Sequence, residues 1–129
     1  MSRDLALLFL RLVAGGSMLY SHGWGKLMRL FTQSPIEFRD PLGVGAPASL
    51  GLAAFAEAIC SILLIIGLFT RLATVPLIIT MLVIIFLVHW TDPFNKIELP
   101  LLYLAVYALL AATGPGKYSL DETVRNKVI

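Results

Sequence analysis

Glu57 is the only acidic or basic side chain between Leu50 and Phe69, a run of residues long and apolar enough to cross a bilayer. A charged residue at the centre of a membrane helix costs roughly 2.5–3.5 kcal/mol, so it should face protein or water rather than lipid. A carboxyl surrounded by lipid favours its protonated form, which suits proton exchange with a ligand. We therefore predict that Glu57 is a functional residue.

His22 is predicted to lie at the same membrane depth as Glu57. At 1.5 Å per residue, His22 is about 25 Å along the first apolar segment, and Glu57 is about 10 Å along the second, which runs in the opposite direction. On a regular helix, Arg11, Met18, His22 and Arg29 fall within about 20° of one line, with Lys26 beside them. We predict that Glu57 and His22 are the catalytic or proton-exchanging pair of a polar pocket.

Further polar and aromatic residues collect in the same half of the membrane, at the side away from the termini. His89 ends the third apolar segment there, and Lys96 and Glu98 precede the fourth. Arg11 alone lies in the other half. The predicted ligand-binding residues are Arg11, Lys26, Trp24, Cys60, His89, Lys96, Glu98 and Tyr103. Tyr107, one helical turn beyond Tyr103, could line the same cavity.

Each of these residues also has a purely structural interpretation. Glu57 could be neutral and hydrogen-bonded to a neighbouring helix, and Cys60 could be a small hydrophobic residue. Arg11 could pack at an interface, and His22 and Lys26 could anchor their helix at the membrane surface. His89, beside Trp90, could belong to an aromatic belt. Two histidines and a carboxylate suffice in kind for a metal, but their spacing is not diagnostic, so no metal centre is predicted.

The composition is that of an integral membrane protein. Of 129 residues, 58% are hydrophobic and only 14% are charged, and the mean hydropathy is +0.86, whereas soluble domains are about 25% charged. A net charge of +2 is too small to indicate nucleic-acid binding. The single cysteine, Cys60, excludes a disulfide or a dithiol mechanism within the chain.

The apolar segments predict an all-α fold, a four-helix antiparallel transmembrane bundle in one domain. Arg11 interrupts the first segment and no A-x-A site follows it, so we interpret this segment as a retained span rather than a signal peptide. Ser119 to Glu122 has the pattern of a capping box that opens a short interfacial helix, with Leu120, Val124 and Val128 on its apolar edge. The predicted spans are 5–27, 50–69, 72–90 and 99–113, with a lid loop at 31–48 and a tail at 117–129.

The charge distribution favours cytoplasmic termini. Four spans place both termini on one side, together with the tight joint at Thr70 and Arg71. The terminal side carries Arg3, Arg71, Lys117, Arg125 and Lys127, and the opposite side carries Lys26, Arg29, Arg39 and Lys96. The excess of basic residues on the terminal side indicates that this side faces the cytoplasm.

Several motifs resemble the DoxX family of small bacterial membrane proteins. They include 23-GWGK-26 at the end of the first span, Gly43, Val44 and Pro47 in the loop, 67-GLFTR-71 at the tight joint and 113-TGPGKYSLD-121 in the tail. Glu57 in the second span and Phe86 to His89 in the third also match. The resemblance implies a multi-pass protein of the bacterial inner membrane with cytoplasmic termini. It also suggests similarity to the DoxD-type membrane subunit of thiosulfate:quinone oxidoreductase and to thiol-redox complexes.

These observations favour a membrane subunit of a quinone- or thiol/sulfur-linked redox complex that holds an amphipathic molecule in an intramembrane pocket. Such a protein would be an accessory subunit of a quinone-linked oxidoreductase, with quinone as its cofactor. Its partners would be membrane lipid and another protein subunit. A non-catalytic assembly protein that uses the small-residue line Ser17, Ser21 and Gly25 is an alternative. A homo-oligomeric transporter or channel is a third, although no internal repeat supports it.

Overall fold

The computed structural model is entirely helical over its described residues, which are 2–128 for the backbone and 2–125 for the side chains. Four helices are long and apolar enough to cross a membrane: α1 (Arg3–Thr32), α2 (Ala46–Ile66), α3 (Thr70–Val88) and α4 (Phe94–Thr113). A fifth helix, α5 (Leu120–Val128), follows them. The predicted all-α bundle with a short C-terminal helix is confirmed.

Helices α1 and α4 are longer than the apolar windows that predicted them, whereas α2 and α3 begin and end a few residues earlier than predicted. Helix α1 continues past Leu27 to Thr32, and α4 begins at Phe94 rather than at Leu99. Lys96 and Glu98 therefore lie in the first turns of α4, where their side chains are exposed. A hydropathy window finds the part of a helix inside the hydrocarbon, whereas the helix itself can extend into the headgroup region.

Short turns make α2 and α3 antiparallel neighbours, as predicted. Gly67 ends α2 in the left-handed conformation with φ of 74°, a conformation that glycine adopts without steric cost. Thr70 starts α3 three residues later. The core is formed mainly by apolar residues of α2, α3 and α4, and its fully buried members include Leu64, Leu77, Tyr107 and Leu110.

Helix α1 packs closely against α2 and only sparsely against α4. The close approach uses glycines on α1, because a Cβ at Gly15 would lie 3.0 Å from the carbonyl oxygen of Ser61. The line of Ser17, Ser21 and Gly25 does not form this contact, since all three residues are exposed. The use of that line by an assembly protein to contact a partner stays a prediction.

Three of the four spanning helices contain a π-helical segment, which the regular 100° periodicity did not predict. The segments are Leu19–Gly23 in α1, Phe55–Ile59 in α2 and Ile84–Val88 in α3. Single-turn π segments are rare in α-helices and occur frequently at functional sites. Here the first two contain His22 and Glu57.

The tail is fastened to the terminal end of the bundle. The Ser119 hydroxyl accepts a hydrogen bond from the Glu122 amide at 3.3 Å, which is the N-terminal cap predicted for α5. Both carboxylate oxygens of Asp121 accept bonds from the joint between α2 and α3, from the amides of Phe69 at 2.7 Å and Thr70 at 2.9 Å. The predicted apolar edge residue Val128 and the cation Lys127 lie outside the described side chains.

Candidate functional site

The centre of the candidate site is an ion pair between Lys26 of α1 and Glu57 of α2. The Lys26 Nζ atom donates to both carboxylate oxygens of Glu57 at 2.6 Å. The Glu57 side chain is only 2% exposed and that of Lys26 is 21% exposed, so the lysine closes the buried carboxylate off from outside. Sequence reasoning selected both residues but did not pair them.

The two π-helical segments bring α1 and α2 into backbone contact at this pair. A Cβ on Gly23 would overlap the carbonyl group of Glu57. From Met18 onwards, the next buried position on α1 is Gly23, five residues later, while His22 is only partly buried. The wider π turn therefore moves the contact with α2 from His22, where a regular helix would place it, to Gly23.

His22 turns instead towards two tyrosines of α4. Its ring meets the edge of Tyr103 with centroids 6.4 Å apart and planes at 88°. Tyr103 stacks on Tyr107 with centroids 5.8 Å apart. Tyr107 is completely buried. An aromatic row thus runs from His22 through Tyr103 to the buried Tyr107.

The loop between α1 and α2, which was predicted to be a lid, places an aromatic ring beside Lys26. The Phe38 ring lies 5.9 Å from Lys26 Nζ and 5.6 Å from the Arg29 guanidinium carbon. Both distances are in the range of cation–π attraction. Sequence reasoning missed Phe38, because a single aromatic residue in a Pro/Gly-rich loop carries no periodic signal.

Asp40 fixes the conformation of this loop at the start of α2. Its carboxylate accepts bonds from the Ser49 hydroxyl at 2.7 Å, from the Gly45 amide at 2.7 Å and from the Val44 amide at 3.0 Å. The Ser49 bond, followed by the backbone bonds, lowers the pKa of Asp40 below its ordinary value of 3.8. Asp40 therefore holds the lid in place through its charged form.

Two of the other predicted ligand-binding residues flank the pair on the same helices. Trp24 is 55% exposed and points away from the bundle interior. Cys60 is 1% exposed and belongs to the apolar core, so its surroundings are those of a small hydrophobic residue.

The structure does not bring the remaining four predicted residues to the ion pair. His89 bonds through Nδ1 to Asp92 at 2.7 Å, and Lys96 and Glu98 are exposed on the first turns of α4. Arg11 is buried in the terminal half, where its Nη2 donates to the carbonyl of Tyr118 at 2.7 Å. These four side chains form no hydrogen bond with Glu57 or Lys26.

A small apolar groove of about 180 Å³ runs between α1 and α4, and one member of the aromatic row, Tyr103, lies in its wall. Ser17 lines it from α1 and Tyr103 from α4, and its other walls are aliphatic. Leu102 and Val13, at its rim, are 59% and 48% exposed, so the groove opens towards lipid. Where a polar pocket was predicted, the structure has a packed ion pair and, between α1 and α4, an open groove. A cavity larger than this groove lies at the terminal end of the bundle.

Comparison with known proteins identifies the family. The DoxX family model matches residues 6–90, which include both members of the ion pair. The chain belongs to the DoxX family. This DoxX chain is also 33% identical over 127 residues to an uncharacterized Haemophilus influenzae protein, with 93% of this chain and 91% of the relative covered. No solved structure matches it.

Membership in the DoxX family and the four apolar helices establish an integral membrane protein with several spans. The resemblance inferred from the motifs of the first three spans is confirmed. The tail motif at 113–121 lies beyond the matched residues, and the structure gives it a role in fastening α5 to the bundle.

Proposed function

We propose that this DoxX protein is a membrane subunit of a quinone-linked redox complex and that it binds the quinone between α1 and α4. The observation that carries the proposal is the apolar groove that opens to lipid and has Tyr103 in its wall, with His22 and Tyr107 against that ring. An apolar tail fits the aliphatic walls, and a polar head fits beside Tyr103. Pockets for amphipathic cofactors combine such apolar walls with a few placed polar groups.

Tyr103 in the groove wall and His22 against its ring match the chemistry of a quinone head. Its two carbonyl oxygens accept hydrogen bonds, which the Tyr103 hydroxyl and the His22 ring can donate. Reduction of a quinone to a quinol takes two electrons and two protons. A partner subunit with a redox centre supplies the electrons, and His22 and the Lys26–Glu57 pair exchange the protons with the quinone.

The proposed location is the bacterial inner membrane, with both termini in the cytoplasm. In that orientation the ion pair and its lid lie in the half of the membrane away from the cytoplasm. Protons would be exchanged with that side, through the lid that Phe38 and Asp40 hold over the pair.

Blocking the groove tests the proposal without altering the ion pair. Val106→Trp places a large ring in the groove, and Val75→Trp places the same ring on the exposed surface of α3, where Val75 is 49% exposed. We expect Val106→Trp to reduce quinone-dependent turnover in native membranes and the quinone that co-purifies by at least about tenfold, which corresponds to 1.4 kcal/mol of binding. Val75→Trp should leave both unchanged.

Glu57→Gln provides the second test, in the same membranes and with expression measured in parallel. It keeps the shape of the side chain and removes the charge, so turnover should be lost while quinone still binds. Tyr20→Phe, at a position that is 88% exposed, is the control for changes on the same helix. Normal turnover in both Val106→Trp and Glu57→Gln would refute the quinone role and favour the assembly function.

A further inference from the structure

We propose that the cavity at the terminal end of the bundle binds a phosphate ester. The cavity has a volume of about 610 Å³, within the range of about 300–1,000 Å³ that is typical of ligand sites. It lies between the first turns of α1 and α3, the segment that follows α4, and the tail helix α5. This site is at the opposite end of the molecule from the ion pair and does not depend on the quinone role.

Basic side chains from three separate parts of the chain line this cavity. Arg3 comes from α1, Arg71 from α3, and Lys117 and Arg125 from the tail. Tertiary packing therefore gathers four cations around one space, although they are far apart in sequence. Such a concentration of positive charge around a concave space attracts anions.

The three acidic residues in the cavity wall are engaged with other groups. Asp4 accepts from the Lys117 amide at 3.0 Å, and Asp121 uses both oxygens to cap the start of α3. Glu122 pairs with Arg125 at 3.7 Å. The acids thus accept bonds from backbone amides or pair with Arg125, and the wall as a whole carries four basic groups against three carboxylates, a net charge of +1.

Arg3, Arg71 and Lys117 form no ion pair with any side chain among residues 2–125. Arg71 is nevertheless held in position, because its guanidinium lies against Gly114 and its Nη2 is 3.5 Å from the carbonyl of Ala112. A positioned guanidinium offers two parallel N–H donors, the geometry that matches phosphate oxygens.

The level of the cavity indicates which phosphate esters can reach it. It lies at the ends of all four spanning helices, where the headgroups of surrounding lipids are found. A phosphodiester of an anionic lipid and a soluble phosphate monoester share the chemistry that the three cations recognise. The two sources differ in whether the ligand arrives from the membrane or from water.

Binding to the purified full-length protein in phosphatidylcholine nanodiscs tests the site. One set of samples receives phosphatidylglycerol, scored by the lipid that remains bound in native mass spectrometry. Another receives glycerol 3-phosphate, scored by calorimetry. The variant is Arg3→Gln with Arg71→Gln, and the matched control is Arg39→Gln with Lys96→Gln, two exposed cations of the opposite end.

We expect the Arg3/Arg71 variant to bind the phosphate probe about twenty-five-fold more weakly, since each of the two cations near a membrane surface contributes about fivefold. The control should bind like the unchanged protein. Loss confined to phosphatidylglycerol identifies a lipid site, and loss confined to glycerol 3-phosphate identifies a soluble ligand. Equal binding by all three proteins, or equal weakening in variant and control, would overturn the proposal.

Discussion

The Lys26–Glu57 pair shows how a carboxylate is accommodated inside the hydrocarbon region. Both oxygens of the Glu57 carboxylate accept a hydrogen bond from the Lys26 ammonium group at 2.6 Å. The aliphatic stem of Lys26 covers apolar surface, and its ammonium group stays partly exposed. The two partners differ in burial, with side chains 2% and 21% exposed. Removing one partner should therefore have a different effect from removing the other.

Lys26→Met should destabilise the protein more than Glu57→Gln does. The first variant leaves a buried carboxylate without its counter-charge and should lower the free energy of unfolding by about 3 kcal/mol. The second leaves a lysine that can reach water and should cost about 1–2 kcal/mol. Unfolding in detergent micelles measures both, and Lys96→Met at an exposed position is the control.

The double variant Lys26→Met with Glu57→Gln completes this comparison. Its free energy of unfolding should fall by less than the sum of the decreases in the two single variants, because the buried carboxylate is no longer charged. Strictly additive losses would contradict the coupling that the structure shows.

Asp40 predicts a pH dependence of the lid. Its pKa is lowered by the Ser49 hydroxyl and by the backbone amides of Gly45 and Val44, so its contribution to stability is complete above its ordinary value of 3.8 and is lost as the pH falls through the lowered value. Hydrogen exchange at Val44 and Gly45, corrected for the intrinsic rate, should lose protection only in this acidic range. In Asp40→Asn this pH dependence should disappear, and an unchanged profile in that variant would contradict the assignment.

At the residue scale, the sequence singled out Glu57 and Lys26 but did not predict that they pair with each other. Glu57 and Lys26 stand out because charges are rare in apolar segments. Their pairing depends on the distance between two helices and on the π turn at Gly23, and neither is encoded in the spacing of one segment. Phe38 has an ordinary local pattern, so only the tertiary structure shows that its ring lies beside Lys26.

At the element scale, the π-helical segments explain where the periodicity argument failed. A constant 100° per residue places His22 on the face of Met18. The π turn Leu19–Gly23 adds one residue to that turn, so Gly23 takes the buried position and His22 rotates towards α4. The existence of the helix was predictable from its apolar residues, whereas this local change in winding depends on its contact with α2.

Gly23→Ala should separate α1 from α2 at the ion pair. The added methyl group would overlap the Glu57 backbone, and overpacking of this kind costs about 1–3 kcal/mol. Gly25→Ala is the matched control, since a Cβ there meets no atom within 4 Å. Thermal unfolding in micelles should show that Gly23→Ala is clearly less stable than the unchanged protein. Gly25→Ala should be as stable as the unchanged protein, or more stable by up to about 1 kcal/mol because alanine has the higher helix propensity. Equal melting temperatures for the two variants would argue against the close contact.

At the scale of the whole molecule, apolar segment lengths and turn signals were sufficient to predict the four-helix architecture. They did not predict how the tail is fastened. Asp121 reaches the amides of Phe69 and Thr70, and Arg11 reaches the carbonyl of Tyr118. The Asp121–Phe69 contact joins residues 52 positions apart, and the Arg11–Tyr118 contact joins residues 107 positions apart. No local sequence pattern therefore reveals them.

The distribution of basic residues predicts the orientation of the molecule in the membrane. A green fluorescent protein fused after residue 129 should fluoresce, because the terminal side is expected to face the cytoplasm. Alkaline phosphatase inserted in the turn between α3 and α4 should be active, because that turn lies on the other side. The reverse pattern, with a dark C-terminal fusion and an inactive insertion, would show that the protein has the opposite orientation.

The sparse contact between α1 and α4 determines how a guest molecule would enter this protein. The groove opens sideways between two helices, so access is by two-dimensional diffusion within the leaflet rather than from bulk water. The concentration that governs occupancy is then the mole fraction of the guest among the lipids. Diluting the protein with extra bilayer would lower that occupancy, whereas diluting the buffer would leave it constant.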